Sequence, residues 1–395
     1  MAAFLNKVSL MLHYQALAWN DYAARFVPCL RPKSAQTRPV HQTSTDPSQL
    51  MHDRAFKMFK RLLSVDQIFI VPIEFSKSIE GIEMKFTLRQ LEVFVAVGRG
   101  ESVSRAAECV GLSQSATSTA LSELERVYDR RLFDRIGKRL QLNELGAALL
   151  PQAIQLLDHA AEIDALLAGR SGFGPMRVGA TLTIGNYLAT LLIGDFMRQH
   201  PGCRVSLGVH NTAHIVRQVA HYELDLGLIE GDCQHADLDV IPWIADELAV
   251  FAAPEHPLAH KLQQGGVIDF ADLLAASWIV RESGSGTRQT FDYAMRHVQS
   301  KLDIRLELEH TEAIKRAVES GLGIGCISRL ALKEAFRRGS LVELPVAGLD
   351  LARQFHFVLH KQKYRTAGIT AFLELCRSVT AGASRSDEIV LPYIR

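Results

Sequence analysis

Residues 88–125, LRQLEVFVAVGRGESVSRAAECVGLSQSATSTALSELE, constrain the fold more than any other stretch of the chain. Leu91, Phe94, Val95 and Val97 recur at helical spacing and predict a first helix with an apolar stripe. Ser102 can cap a second helix, in which Ala106 and Ala107 are small enough for close helix packing. Gly111 permits a sharp turn, Leu112 plugs the core and Ser113 caps a third helix. On that third helix Thr117, Leu121 and Leu124 face inward, leaving Gln114, Ser115, Ser118, Thr119 and Ser122 on the opposite face. Such short polar side chains suit base edges: Gln pairs with adenine N6 and N7, and hydroxyls donate or accept. A solvated face is the commoner meaning of a polar stripe. The two-helix pattern with its turn favours a helix-turn-helix here.

The next stretch, RVYDRRLFDRIGKRLQL, carries Arg126, Arg130, Arg131, Arg135, Lys138 and Arg139 against Asp129 and Asp134. Gly137 marks a turn between Leu132-Phe133 and Leu140-Gln141-Leu142, so a basic hairpin follows the recognition helix. That arrangement is a winged helix-turn-helix, whose wing lies along phosphates or enters the minor groove. The formal net charge of the whole chain is only +1, so any DNA-binding surface must be a local patch.

With 395 residues there is room for two or three domains. Cys29, Cys109, Cys203, Cys233, Cys326 and Cys376 are scattered without a C-x-x-C pair. Their scatter argues against a zinc knuckle or disulfide framework and fits reduced cytoplasmic thiols. No metal site, catalytic group or membrane span is indicated. The opening MAAFLNKVSLMLHYQALA imitates a signal peptide, but His13 and Gln15 interrupt its apolar stretch.

Residues 1–83 lack sustained periodicity and read either as an extension upstream of a true start at Met84 or as a poorly ordered arm. The first reading is favoured. The DNA-binding domain is expected over 84–143, a long helix over 144–168 and a sensing domain over 176–380, joined by the flexible GRSGFGP. In the sensing domain, strands at Met176–Ala180, Arg204–His210, Leu224–Ile229, Trp278–Arg281 and Arg305–Glu309 alternate with helices, implying βαβ units and a mostly parallel sheet. Residues 381–395 read as an exposed tail.

The series Phe94, Ala106-Ala107, Ser113-Gln114, Ser118, Leu124-Glu125, Leu132-Phe133, Arg135 and Gly146 resembles the N-terminal signature of LysR-type transcriptional regulators. The resemblance implies a bacterial regulator of double-stranded DNA, not an enzyme. Its expected DNA contacts are Ser104, Arg105, Ser113, Gln114, Ser115, Ser118, Thr119, Arg135, Lys138 and Arg139. It further implies a periplasmic-binding-protein-like, Rossmann-type domain of two subdomains, about 176–248 with 353–380 and about 249–352. RNA polymerase is an implied partner. Three positions depart from the family pattern: Asp129 for a usual Gly, Asn143 for a usual Thr, and Thr119 for a frequent basic residue. The last puts target preference in doubt.

Leu149, Ala153, Leu156, Ala160, Ile163 and Leu167 form a heptad seam on the long helix, with two Ala positions suited to a close partner helix. A helix packed on its own domain is the alternative. The resemblance implies a dimer through this helix and a homotetramer on two half-sites.

In the sensing half, Thr181 and Thr183 follow one strand, and Arg281, Ser283, Gly284, Ser285, Gly286 and Thr287 follow another. Asn211, Thr212 and Thr311 begin further helices. Helix N-termini present unpaired N–H donors and partial positive charge, so a small oxyanion or carboxylate fits such a ring. Ordinary capping explains any one of these residues equally well. The resemblance implies an effector cleft there, in a branch sensing small anions of sulfur or carbon assimilation. A two-lobed solute-binding protein or an α/β enzyme is the alternative. Gly321-Leu322-Gly323-Ile324-Gly325 follows a helix, lacks the dinucleotide-loop spacing and reads as a turn into a strand.

Overall fold

The structure, a computed structural model, describes residues 84–137, 139–169 and 173–390. The expectations for residues 1–83, for Lys138 and for the last five residues lie outside that range.

Thr87 opens helix α1 (Leu88–Gly100) with a reciprocal capping box: its hydroxyl accepts from Gln90 N, and the Gln90 side chain accepts from Thr87 N. Ser102 caps α2 (Val103–Val110), and Gly111 closes it at φ 65°. Ser113 caps α3 (Gln114–Tyr128), which Asp129 ends in the left-handed region at φ 49°, where the family pattern has Gly. Strands β1 (Phe133–Ile136) and β2 (Arg139–Leu142) pair antiparallel as the expected hairpin. Leu91, Phe94, Val97, Ala106, Leu121 and Leu124 are buried together beneath these elements, with the Phe94 and Phe133 rings edge to face at 5.7 Å.

Asn143 then caps the long helix α4 (Glu144–Leu167), which stays helical through Pro151. Gly146 is required at its start, since a Cβ there would lie 2.1 Å from the Leu132 carbonyl oxygen. The seam divides on this helix. Ala153 is buried in the core of its own DNA-binding head, whereas Leu156, Ile163 and Leu167 are exposed. Ala153, packed on its own head, also lines an apolar groove beside Leu149 and Leu156.

Beyond the linker, β3 (Met176–Ala180) pairs in parallel with β4 (Val205–Val209) and β5 (Leu226–Glu230). Between β3 and β4 run α5 (Leu182–Ile184), a π-helical stretch Gly185–Ala189 and α6 (Thr190–Gln199), and α7 (Thr212–Ala220) precedes β5. The long strand β6 (Leu238–Ala252) crosses to a second half-sheet, and β11 (Ala352–His360) returns beside it. The second half holds α8 (Pro257–Gln263), α9 (Phe270–Ala275), β7 (Ser277–Arg281), α10 (Gly286–Ala294), β8 (Asp303–Leu308), α11 (Thr311–Glu319), β9 (Ile324–Ser328), α12 (Arg329–Arg338) and β10 (Val342–Glu343). Helix α13 (Ala367–Thr380) returns to pack on the first half.

The sheet order is β4-β3-β5-β11-β6-β9-β7-β8, with β10 on β6. Strand β6 pairs with β11 as far as Glu247 and with β9 from Leu248 onward, so the two halves meet on it. The sheet is thus mixed rather than mostly parallel. Its two crossing strands are antiparallel to each other, and β6 had been missed because its polar interruptions break the apolar run. The C-terminal segment also departs from expectation: Ser386 and Ile389 are buried, and Arg385 bridges Ala245 of β6.

Candidate DNA-reading and effector sites

Gln114, Ser115, Ser118 and Thr119 are exposed on α3, while Thr117, Leu121 and Leu124 are buried beneath them. Ser104 and Arg105 on α2, and Arg135 and Arg139 on the hairpin, are exposed as well. Ser113 is committed to capping, since its Oγ accepts from Ala116 N at 3.2 Å and lies 3.0 Å from Ser115 Oγ. Sequence reasoning gave no role to Glu125. Its carboxylate accepts from Leu132 N at 2.7 Å, and Asn143 Nδ2 donates to Arg131 O at 2.8 Å. Together they fix the base of the hairpin against the recognition helix.

The sensing half is organised by three buried charges the sequence did not single out. Glu230 ends β5, Asp246 lies where β6 crosses between the half-sheets, and Arg353 lies on β11. Arg353 Nε meets Asp246 at 2.6 Å and its Nη1 meets Glu230 at 2.9 Å, with all three side chains at most 2% exposed. Glu230 also accepts from Thr183 N at 2.8 Å and Thr287 Oγ1 at 3.1 Å. Asp246 accepts from Ser328 Oγ at 2.8 Å and from Ser386 Oγ. Burial opposes ionisation of Glu230, but the charges of Arg353 and Arg281 and the Thr181 and Thr183 donors outweigh it and hold its carboxyl below the usual range.

This hub uses several donors expected to serve an effector. Thr183 and Thr287 bind Glu230, and Thr212 Oγ1 donates to Glu230 O while accepting from Gly286 N at 3.1 Å. Gly286 cannot carry a side chain, because its Cβ would meet Glu230 O at 2.0 Å. Asn211 caps α7, and Arg281 is buried in a two-point pair with Glu282. Ser283 and Gly284 are exposed, with Gly284 O accepting from Ala213 N at 3.1 Å.

Neither Thr181 nor Ser285 caps the helix it precedes; Thr181 Oγ1 instead donates to Leu228 O at 3.5 Å and supports the Glu230 carboxylate. Thr311 Oγ1 at the start of α11 and Arg353 Nη2 are buried without a hydrogen-bond partner. Orphaned buried donors are uncommon and costly in folded proteins.

An exposed polar helix with a basic hairpin, carried ahead of a two-part α/β domain whose halves meet on crossing strands, defines a ligand-responsive DNA-binding protein. Family models match both parts: "Bacterial regulatory helix-turn-helix protein, lysR family" over residues 88–147 and "LysR substrate binding domain" over residues 170–381. The chain belongs to the LysR family of bacterial transcriptional regulators. It is 41% identical over 293 residues to the uncharacterized HTH-type transcriptional regulator YeiE of Escherichia coli, covering 74% of this chain and 98% of that one. It is 31% identical over 300 residues to the RuBisCO operon transcriptional regulator of Allochromatium vinosum, covering 75% and 98%. Its fold is similar to that of a full-length OxyR variant from Pseudomonas aeruginosa, with a TM-score of 0.54, 24% identity and coverage of 75% and 96%. Among the described residues, no helix is long and apolar enough to cross a membrane.

Proposed function

We propose that the protein binds a small oxyanion or carboxylate between the two half-sheets, about 176–248 with 353–380 and about 249–352, and that this binding alters its engagement of DNA. The effector lies among Thr181, Ser283–Thr287 and Thr311, with the Glu230–Arg353–Asp246 hub behind it. The carrying observation is the buried Thr311 hydroxyl, which has no protein partner at a helix N-terminus that His310 leaves uncapped. Were these residues mere caps, Thr181 and Ser285 would cap their helices. They do not.

Regulation follows from differential affinity, since a ligand shifts a domain equilibrium only by binding one arrangement better than another. The RuBisCO operon regulator among the relatives supports a link to carbon assimilation. On the DNA side, Gln114, Ser115, Ser118 and Thr119 read bases while Arg105, Arg135 and Arg139 engage phosphates. The protein dimerises through α4, whose exposed Leu156, Ile163 and Leu167 continue from an apolar groove of about 700 Å³ lined by Leu124, Tyr128, Leu145 and Leu149. Two dimers assemble as a tetramer on neighbouring half-sites, where RNA polymerase is the partner.

The test is thermal unfolding of the full chain with sulfite, sulfate, thiosulfate, phosphate and small carboxylates. A ligand at about a hundred times its dissociation constant adds roughly 2.7 kcal/mol. A selective upward shift lost in Thr311→Val supports the cleft. Shifts indifferent to that substitution, or none from any anion, reject it.

A further inference from the structure

A second charged cavity lies away from the effector cleft. It is a groove of about 820 Å³ walled by the first DNA-head helix, the long linker helix and the edge of the sensing domain. Its charged lining comes from Arg89, Glu92, Arg99 and Arg105 on the head, Asp158 on α4, and Arg177, Glu223 and Asp225 on the sensing domain.

Most of these charges are already matched. Arg89 meets Glu92 at 2.7 Å, and Arg177 meets Asp225 at 2.6 Å. Lys363 joins Asp225 at 2.9 Å and also pairs with Asp158, tying the sensing domain to the linker helix. Arg99 is different. Its Nε is buried without a partner, and among the described residues its side chain makes no hydrogen bond or ion pair. Burial and the like charge of Arg177, only partly offset by the charges of Asp225, Asp158 and Glu223, push its pKa down to about 10, which still leaves it cationic near neutral pH. Arg105 also has no ion-pair partner among the described residues, while Glu223 meets only the Gln218 amide, at 3.2 Å. Arg99 and Arg105 thus stand outside any ion pair in a lining of four guanidinium groups and four carboxylates, of which Asp225, Asp158 and Glu223 act on Arg99 only at longer range.

We propose that this groove is a second anion site, taking a small phosphate-type oxyanion on Arg99. A planar guanidinium offers paired donors that match phosphate oxygens, and a half-buried site strengthens the contact. An anion there would contact α1 of the DNA head while the sensing domain forms the opposite wall. It would hold the two parts in the docked arrangement independently of the effector cleft.

The experiment is calorimetric titration of the full chain with inorganic phosphate at low ionic strength, using wild type, Arg99→Gln, Arg99→Lys and Thr311→Val. Arg99→Gln should weaken binding by about tenfold or more, as expected for lost charge-assisted hydrogen bonds. Arg99→Lys should retain part of it, and Thr311→Val should leave it unchanged. Absence of phosphate binding to wild type, or binding unchanged in Arg99→Gln, overturns the proposal. Binding lost in Thr311→Val but kept in Arg99→Gln places phosphate in the effector cleft instead, which overturns this site and supports the other. If Arg99→Gln fails to fold, the exposed Arg105→Gln decides: phosphate affinity must fall, and an unchanged affinity overturns the proposal.

Discussion

Replacing Arg353 by Met removes the cation that faces two buried carboxylates. The lost contacts are Nε to Asp246 at 2.6 Å, Nη1 to Glu230 at 2.9 Å and Nη1 to Thr287 Oγ1 at 2.9 Å. Each ion-pair member is at most 2% exposed, so solvent screens little of the loss. Breaking a buried pair by deleting one partner costs about 3–5 kcal/mol, because the abandoned charge stays buried. At roughly 2–4 °C per kcal/mol for a domain of this size, the melting temperature should fall by about 6–20 °C. The pH dependence should reverse too. In the wild type the carboxyl pKa of Glu230 is depressed, so its contribution is full above the unfolded pKa and is lost as pH falls through the folded one. Without Arg353 the main cation opposing burial is gone, and the folded pKa should rise above the unfolded value. The variant should then gain stability as pH falls toward the raised pKa. Urea unfolding at pH 8 and pH 5.5 measures both effects, and Glu230→Gln in the Arg353→Met background should recover part of the loss. A single variant within about 1 kcal/mol of wild type at pH 8, a small part of the cost expected here, or one with the wild-type pH trend, would refute the account of the hub.

Four further substitutions have expected outcomes. Gly146→Ala drives a Cβ toward the Leu132 carbonyl and should cost about 1–3 kcal/mol, with DNA binding weakened as the hairpin base shifts; denaturant midpoints and gel shifts read both. For Asp225, burial opposes ionisation, but the Arg177 hydrogen bond and the Lys363 charge outweigh it and depress the pKa. Its stabilisation is therefore present above the unfolded pKa and lost as pH falls through the folded one, so Asp225→Asn should flatten the acid limb of a stability-versus-pH curve. Arg135→Gln should lower the salt slope of DNA binding by about 1 with little change in sequence preference, whereas Gln114→Ala should reduce discrimination between operators.

The DNA head was legible because its rules are local. Ser102, Ser113 and Asn143 cap the helices assigned to them, and the inward set of α3 follows helical spacing. Glu125 figured only in the family series, and its role was not legible because it lies in a hydrogen bond to a backbone group seven residues on, which periodicity does not encode. The sensing half was legible only in part. Helix starts could be read from Thr181, Ser285 and Thr311, but whether each hydroxyl is used depends on contacts across the sheet. Glu230, Asp246 and Arg353 are 16 and 107 positions apart in turn and meet only once the sheet is assembled. Each looks in sequence like an ordinary charge interrupting an apolar strand. The linker helix was half legible: its apolar periodicity is real, but periodicity does not say which face its own domain occupies, and Ala153 went inward.

The placement of Ser386 bears on how the protein is made. Its hydroxyl reaches Asp246 from nearly the last residues of the chain, and Ile389 fills a core begun at Met176. During synthesis the DNA-binding head emerges first and can fold as a unit, since its core is drawn mainly from residues 91–154. The sensing domain must wait for β11, α13 and the segment around Ser386, so it is completed well after the head. A nascent or prematurely terminated chain could thus present a DNA-reading surface before it owns a finished sensor.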